Sequence, residues 1–330
     1  MIMEIWQIFL IVLGCVFLLL TLILIMMGVV INKAVFARQD KNPDFKYFTA
    51  EDFNLNTEDI EVTYKGEQLY SKIYSTKPVE GCEKVIIFQH GFGAGSSSYM
   101  TEIATLANYG YAVVATDACG CNNSTGKDVG GFYVGTEAVI ATYIGVKRCE
   151  KLKDKKVILV GHSWGAYSVC CAANKVKVDG VVALSGFNAP AQCVCDQLKM
   201  IAPMGKLLAP VLHPFFFIIN LFRSSNGNTH AATALKKSGV KALLIHGEKD
   251  RTVTLKHSVA KKAKGENVTK LILADKKHNP YNTVEAEEYL AKLLAFDGKD
   301  EEFIKNYDWK KATQEDSEAM SNIDNFIKSI

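Results

Sequence analysis

The stretch Lys155-Lys156-Val157-Ile158-Leu159-Val160-Gly161-His162-Ser163-Trp164-Gly165 decides how this chain is read. Val157 to Val160 are apolar and mostly β-branched, bounded by Lys and Gly, which is the pattern of a strand buried on both faces. Ala166 to Asn174 then reads as a helix. Gly161 and Gly165 stand two residues to either side of Ser163, the spacing of a sharp strand-to-helix turn that lifts a serine hydroxyl above a sheet edge. A Cβ at either glycine would collide across so tight a turn. The first amides of the helix favour negative charge at the same point. In isolation G-x-S-x-G arises by chance, and its plain alternative is a glycine-flanked surface turn. The buried strand before it argues for a nucleophile elbow.

Outward from this stretch, apolar runs alternate with helical ones. Lys84 to Gln89 is a buried strand ending in His90-Gly91-Phe92-Gly93-Ala94-Gly95, Ser98 to Tyr109 a helix, Tyr111 to Thr116 a strand and Phe132 to Cys149 a helix. Strands follow at Gly180 to Ser185, Val240 to His246 and Thr269 to Ala274, and amphipathic helices at Thr283 to Ala295 and Ala312 to Ile330. Such alternation implies right-handed crossovers and a mostly parallel sheet, an α/β class. Ile60 to Tyr64 and Gln68 to Ser75, around Lys65-Gly66-Glu67, read as a β-hairpin adding antiparallel strands at one edge. No internal repeat or low-complexity segment interrupts the pattern.

The alternation lapses between Ser185 and Val240. Met200 to Phe222 is apolar, with Pro203, Pro210, Pro214 and the run Phe215-Phe216-Phe217-Ile218-Ile219. Lys206, His213 and the three prolines count against a membrane span here. An insertion over about 187–235 reads as an apolar cap above a pocket at the C-terminal sheet edge. Its plain alternative is a helical pair that merely covers the sheet.

Ile5 to Ile31 offers 27 consecutive uncharged positions, more than the roughly 20 that cross a bilayer. A cleavable signal peptide ending near Val35-Phe36-Ala37 is the alternative, but the apolar run is too long for an h-region and no Lys or Arg precedes it. The expected layout is an anchor over 1–32, a polar linker over 33–56 and one domain over 57–330. Lys33, Arg38, Lys41 and Lys46 follow the span and only Glu4 precedes it, which puts the domain on the cytoplasmic side.

Over the whole 330-residue chain, 48% hydrophobic and 22% charged residues describe a globular protein. A net charge of +3 without a Lys/Arg cluster interleaved with aromatics excludes a nucleic-acid partner. Eight of the nine cysteines lie outside the apolar N-terminus without the spacing of a disulfide scaffold. Cys119-x-Cys121 and Cys193-x-Cys195, both expected near strand ends, raise a metal or redox pair. C-x-C is not the usual zinc spacing, and buried small hydrophobes are the simpler account.

A serine nucleophile needs a base, and the base needs a partner that holds its tautomer. Asp250 follows the strand ending in Leu244-Ile245-His246-Gly247, and His278 follows the last strand in Lys276-Lys277-His278-Asn279-Pro280. A parallel sheet gathers the C-terminal ends of its strands along one edge, so Ser163, Asp250 and His278 can meet there. Glu248 is the alternative acid. His246 and His162 are the other nearby histidines, the first read as packed and the second as a neighbour of the nucleophile. Backbone amides of Trp164 and Phe92 are the candidate oxyanion donors. The His90–Gly95 turn lacks the Gly-Lys-Ser/Thr ending of a P-loop and is a poor dinucleotide fingerprint.

Together, His90-Gly91-Phe92-Gly93, Gly161-His162-Ser163-Trp164-Gly165, His246-Gly247-x-x-Asp250-x-x-Val253 and Lys277-His278-Asn279 resemble the α/β-hydrolase superfamily, in particular its serine esterase, monoacylglycerol-lipase-like and S33-peptidase-like members. The resemblance covers about Ile60 to Ile330. It implies an α/β-hydrolase fold with Ser163 as nucleophile, His278 as base, Asp250 as its orienting acid, and the amides of Phe92 and Trp164 as the oxyanion hole. Many relatives carry Asp-x-Arg-Gly-x-Gly-x-Ser where this chain has Asp117-Ala118-Cys119-Gly120-Cys121-Asn122-Asn123-Ser124, so the pocket wall departs from the pattern. The resulting expectation is a membrane-anchored serine hydrolase of lipophilic carboxylic esters that needs no metal or organic cofactor. A peptidase or amidase, an acyltransferase, and a non-catalytic tethered binding module are the competitors.

Overall fold

Two registers of alternating apolar residues bury the central sheet on both faces in the computed structural model, which describes residues 4–295 and 301–330. The strands are β1 (Asn56–Asp59), β2 (Val62–Tyr64), β3 (Glu67–Leu69), β4 (Ser71–Ser75), β5 (Lys84–Gln89), β6 (Ala112–Thr116), β7 (Lys156–His162), β8 (Gly180–Leu184), β9 (Lys241–Gly247) and β10 (Val268–Leu273). Eight of them form one sheet in the order β1-β4-β6-β5-β7-β8-β9-β10. β5 to β10 are mutually parallel, while β4 runs antiparallel to β6 and to β1.

The helices are α1 (Ile5–Val35), α2 (Met100–Asn108), α3 (Tyr133–Arg148), α4 (Trp164–Ala172), α5 (Pro190–Ile201), α6 (Gly205–Arg223), α7 (Ala231–Ser238), α8 (Val259–Lys262), α9 (Val284–Leu294), α10 (Glu301–Lys305), α11 (Trp309–Ala312) and α12 (Ser317–Lys328). Val85, Ile87, Val157, Leu159, Val181 and Leu244 pack on the face covered by α3, α4 and α7. Ile86, Phe88, Ile158, Val160, Val182 and Ile245 pack on the opposite face under α2 and α12. This double cover explains why the central strands read as unbroken apolar runs.

The hairpin expected over Ile60 to Ser75 is divided, which corrects that reading. β2 pairs only with β3, and the sheet edge is built instead by β4 and β1. The break falls at Tyr70, whose N–H donates to Ser124 Oγ at 2.8 Å and whose carbonyl accepts from the Asp117 amide at 2.9 Å. With both backbone groups taken by the loop after β6, Tyr70 cannot continue the β2–β3 ladder.

Residues 33–56, expected as a linker, are packed into the body. Phe36, Phe48, Ala50 and Leu55 are buried, and Gln39 forms a bridge with Cys121. α1 and α6 are each long and apolar enough to cross a membrane. α1 is exposed along most of its length. Near its end Leu24, Met27 and Ile31 meet the core, and a Cβ at Gly28 would stand 3.5 Å from Ile219 and 3.6 Å from Phe215 of α6. On α6 a stripe of Ala209, Leu212, Phe216 and Asn220 faces inward, while Leu207, Val211, Leu221 and Phe222 are exposed. Cys193 and Cys195 lie on α5, not at a strand end as expected, and both are buried free thiols.

The buried Glu102 on α2 and the half-buried Glu315 before α12 form an acid pair, with Thr105 Oγ1 donating to Glu315 Oε2. Burial raises Glu315 from its ordinary 4.5 to about 7, and burial together with the Glu315 charge raises Glu102 as well. A carboxyl that holds its proton more tightly in the fold stabilises the fold at low pH. That contribution is lost as pH climbs from 4.5 through about 7. Glu315→Gln, which keeps the shape and drops the charge, is therefore expected to melt level with wild type at pH 5 and above it at pH 8 in a thermal scan.

Candidate active site

The elbow after β7 forces Ser163 to φ 56° and ψ −112°, a backbone conformation that L residues rarely hold. Two close approaches hold it there. A Cβ on Gly161 would come within 2.4 Å of the Gly165 carbonyl carbon, and one on Gly165 within 2.0 Å of Gln89 O at the end of β5. Only glycine lets β7, α4 and β5 converge so tightly. The Ser163 amide donates to Leu184 O at 2.8 Å, and the buried Trp164 indole donates to Phe132 O at 2.7 Å. The hydroxyl of Ser163 is thereby left free at the sheet edge, half-exposed.

Its partner is His278, whose Nε2 lies 3.0 Å from Ser163 Oγ. On the other side of the ring, Nδ1 is 2.8 Å from Asp250 Oδ2. Carboxylate oxygens only accept, so Nδ1 carries the proton and Nε2 is left to accept from the serine hydroxyl. Asp250 is buried at the turn after β9, where its Oδ1 accepts from the Val253 amide at 2.9 Å. Burial alone would raise its pKa. The hydrogen bond and charge of His278, with the Val253 amide, outweigh burial and hold the carboxylate below its ordinary range. Glu248, the other candidate acid, is exposed. His246 is fully buried, donates to Val253 O at 2.9 Å, and stands 3.6 Å from Asp250.

Glu287 of α9 grips the histidine loop by accepting from the Lys277 and Asn279 amides at 2.8 and 2.7 Å. A second grip runs through the elbow. The Gly91 amide donates to Tyr99 Oη at 3.0 Å, the Tyr99 hydroxyl to His162 Nδ1 at 2.8 Å, and His162 Nε2 to His278 O at 2.9 Å. Burial first, and then the nearby His278, depress His162 to about 3, so the ring stays neutral with one donor and one acceptor fixed. This relay ties the glycine-rich 90–95 loop, the elbow and the histidine loop together. His162 was visible beside the serine in sequence, but Tyr99 and Glu287 carry no local signal.

The 90–95 loop brings Phe92 against the elbow, its ring centroid 5.4 Å from that of Trp164. Among the described residues neither the Phe92 nor the Trp164 amide has a hydrogen-bond partner. The geometry therefore offers a nucleophile–base–acid series beside two free amides, with the elbow at the C-terminal ends of parallel strands.

A sequence profile for the alpha/beta hydrolase fold matches residues 84–204, the span that holds the glycine-rich loop and the elbow. Over that span the chain resembles the α/β-hydrolase superfamily. The chain is 26% identical over 165 residues to a proline iminopeptidase of Saccharolobus solfataricus, a match covering 48% of this chain and about half, 50%, of that protein. An esterase of Pyrococcus furiosus superposes with a TM-score of 0.60 at 18% identity, covering 89% of this chain and 98% of the esterase. An acylaminoacyl peptidase of Pyrococcus horikoshii superposes with a TM-score of 0.52 at 15% identity over 76% of this chain and 44% of its own. These structures share the fold.

Proposed function

We propose that this protein is a membrane-anchored serine hydrolase that cleaves lipophilic carboxylic esters through an acyl-enzyme. The observation that carries the reading is the unbroken series Ser163 Oγ–His278 Nε2–Asp250, at 3.0 and 2.8 Å, on a strained elbow. Ser163 Oγ attacks the ester carbonyl while His278 Nε2 takes its proton. Asp250 steadies the imidazolium that forms. The amides of Phe92 and Trp164 receive the oxyanion. Collapse of the tetrahedral species breaks the acyl–oxygen bond as His278 returns the proton to the leaving alcohol. Water, deprotonated by the same ring, then releases the acid and restores Ser163.

The apolar, largely exposed α1 and the exposed apolar side of the neighbouring α6 support a membrane setting and a lipophilic substrate. Lys33 in the last turn of α1 and Arg38, Lys41 and Lys46 after it favour a cytoplasmic domain. Buried Phe36 argues for retention of the helix, since cleavage after Ala37 would strip a core residue from the domain. The iminopeptidase relative makes peptide cleavage the second reading. Recognition of a free amine calls for an unpaired acid near the site. The sole acid in the 187–235 insertion, Asp196, is committed to His257 at 2.5 Å and Lys199 at 3.0 Å.

Full-length protein in detergent, treated with a fluorophosphonate probe and a series of p-nitrophenyl esters beside Ser163→Ala, tests the proposal. Labelling and turnover that require Ser163 and favour medium or long acyl chains are expected. Labelling without ester turnover would shift the reading to an amide or peptide, and an unlabelled folded protein would leave a tethered binding module. Tyr99→Phe removes the hydroxyl that accepts from the Gly91 amide and donates to His162, and a looser histidine loop is expected to lower kcat about tenfold with KM nearly constant.

A further inference from the structure

We propose that Phe36 to Gln39, the four residues leaving α1, complete the active site, with Phe36 as positioning residue for the Phe92 amide and Arg38 as the clamp on the neighbouring loop. The inference rests on the serine-hydrolase reading above. At its Phe92 end the 90–95 loop is held chiefly by ring packing. Gly91, Gly93 and Gly95 carry no side chains, and Gly93 adopts φ +77°. Its large side chains are Phe92 and the buried His90, and three aromatic rings from separate parts of the chain surround the Phe92 ring. Phe36 lies 5.7 Å away edge-on, Phe132 5.5 Å and Trp164 5.4 Å between centroids. Phe36 is itself 2% exposed and stacks edge-on against Phe132 at 4.9 Å. Its carbonyl accepts from the Val129 amide at 3.0 Å, so its backbone is fixed as firmly as its ring.

Arg38 holds the adjoining wall. Its guanidinium donates to Asn122 O at 2.6 Å, Gly126 O at 2.8 Å and Ser124 O at 3.1 Å, with Nε on Asp40 at 2.8 Å. Gln39 adds two backbone bonds, from its amide to Gly120 O at 2.9 Å and from the Asn122 amide to its carbonyl at 2.8 Å. This wall presses on the 90–95 loop. The Ala118 amide donates to His90 Nε2 at 2.9 Å, and a Cβ on Gly95 would fall 1.8 Å from Asn122 Nδ2. Loss of the clamp would therefore let the glycine-rich loop, and the Phe92 amide with it, drift from the place where the oxyanion forms. A planar fork reaching three carbonyls is a task lysine cannot copy.

The test uses the full chain in detergent, carrying Phe36→Ala, Phe36→Leu, Arg38→Ala or Arg38→Lys, with Phe17→Ala on the exposed part of α1 as control. kcat and KM for a short p-nitrophenyl ester are measured beside hydrogen–deuterium exchange of the 90–95 and 120–126 segments. Misplacing one oxyanion donor should cost roughly 10- to 100-fold in kcat with KM within about threefold. Phe36→Leu is expected to recover part of the loss and Arg38→Lys little of it, while exchange quickens in both segments and Phe17→Ala stays at wild-type values. Unchanged kcat, or unchanged exchange in the 90–95 segment, would overturn the proposal. If wild type turns over no ester, the esterase reading fails, and the exchange comparison still decides whether Phe36 and Arg38 hold the loops. If Phe36→Ala does not fold, Phe36→Leu and the Arg38 variants carry the test.

Discussion

Alanine at position 163 is expected to lower kcat for an ester by about 10⁴- to 10⁶-fold while leaving the fold intact. In the proposed mechanism the loss is large because the Ser163 hydroxyl would form the covalent bond, and neither His278 nor Asp250 could stand in for it. Some rate above the uncatalysed reaction should survive, since the Phe92 and Trp164 amides would still receive the oxyanion formed by attacking water. Ser163 is the N-cap residue of α4 but makes no capping hydrogen bond through its side chain. Removal of the hydroxyl therefore costs the helix little. Thermal melting within a few degrees of wild type, together with loss of ester turnover and of fluorophosphonate labelling, is the expected pair of results. Substantial turnover by the variant would move the nucleophile elsewhere.

A single methyl group two residues later should act on stability instead. Gly165→Ala would put a carbon 2.0 Å from Gln89 O, 2.7 Å from the Gln89 carbonyl carbon and 2.8 Å from His90 O. All three are backbone atoms at the end of β5, the strand hydrogen-bonded between β6 and β7. None can swing aside as a side-chain tip would, so either α4 or β5 has to shift within a close-packed core. The expected cost exceeds about 4 kcal/mol, in the range reserved for a named steric or burial failure. A denaturation midpoint in the same detergent, or the yield of folded protein, measures it. Gly165→Ala melting like wild type would mean that α4 has room to rise from the sheet.

These two variants concern the part of the molecule most legible in its sequence. β7, the elbow and α4 announce themselves because a both-faces-buried strand, two obligatory glycines and a helix follow within twenty residues. Asp250 and His278 could be picked out because each follows a recognisable strand, and a parallel sheet gathers such loops at one edge. Illegible features share a different cause. β1, Asn-Thr-Glu-Asp, is a polar edge strand with no apolar alternation, recruited by pairing with β4 and by the Lys72–Asp59 ion pair at 2.9 Å. Tyr70 breaks the expected hairpin because a loop some fifty residues away takes its backbone groups. Tyr99, Glu287, Phe36 and Arg38 act on partners far off in the chain, through ring packing or backbone bonds that leave no periodicity to read.

The continuity of α1 into the Phe36–Gln39 segment bears on where the protein can reach. Its 31 residues make a rod of about 46 Å, longer than a hydrocarbon core of roughly 30 Å. Its last turns are already committed to α6. A flexible tether of two dozen residues would let a domain wander about 25 Å from its exit point. With α1 in a bilayer, a stalk without slack allows the domain only to diffuse in the plane and spin about the helix axis. Under the proposed function Ser163 would then sample one depth of one leaflet, serving esters that share its own membrane and passing by those on an apposed vesicle.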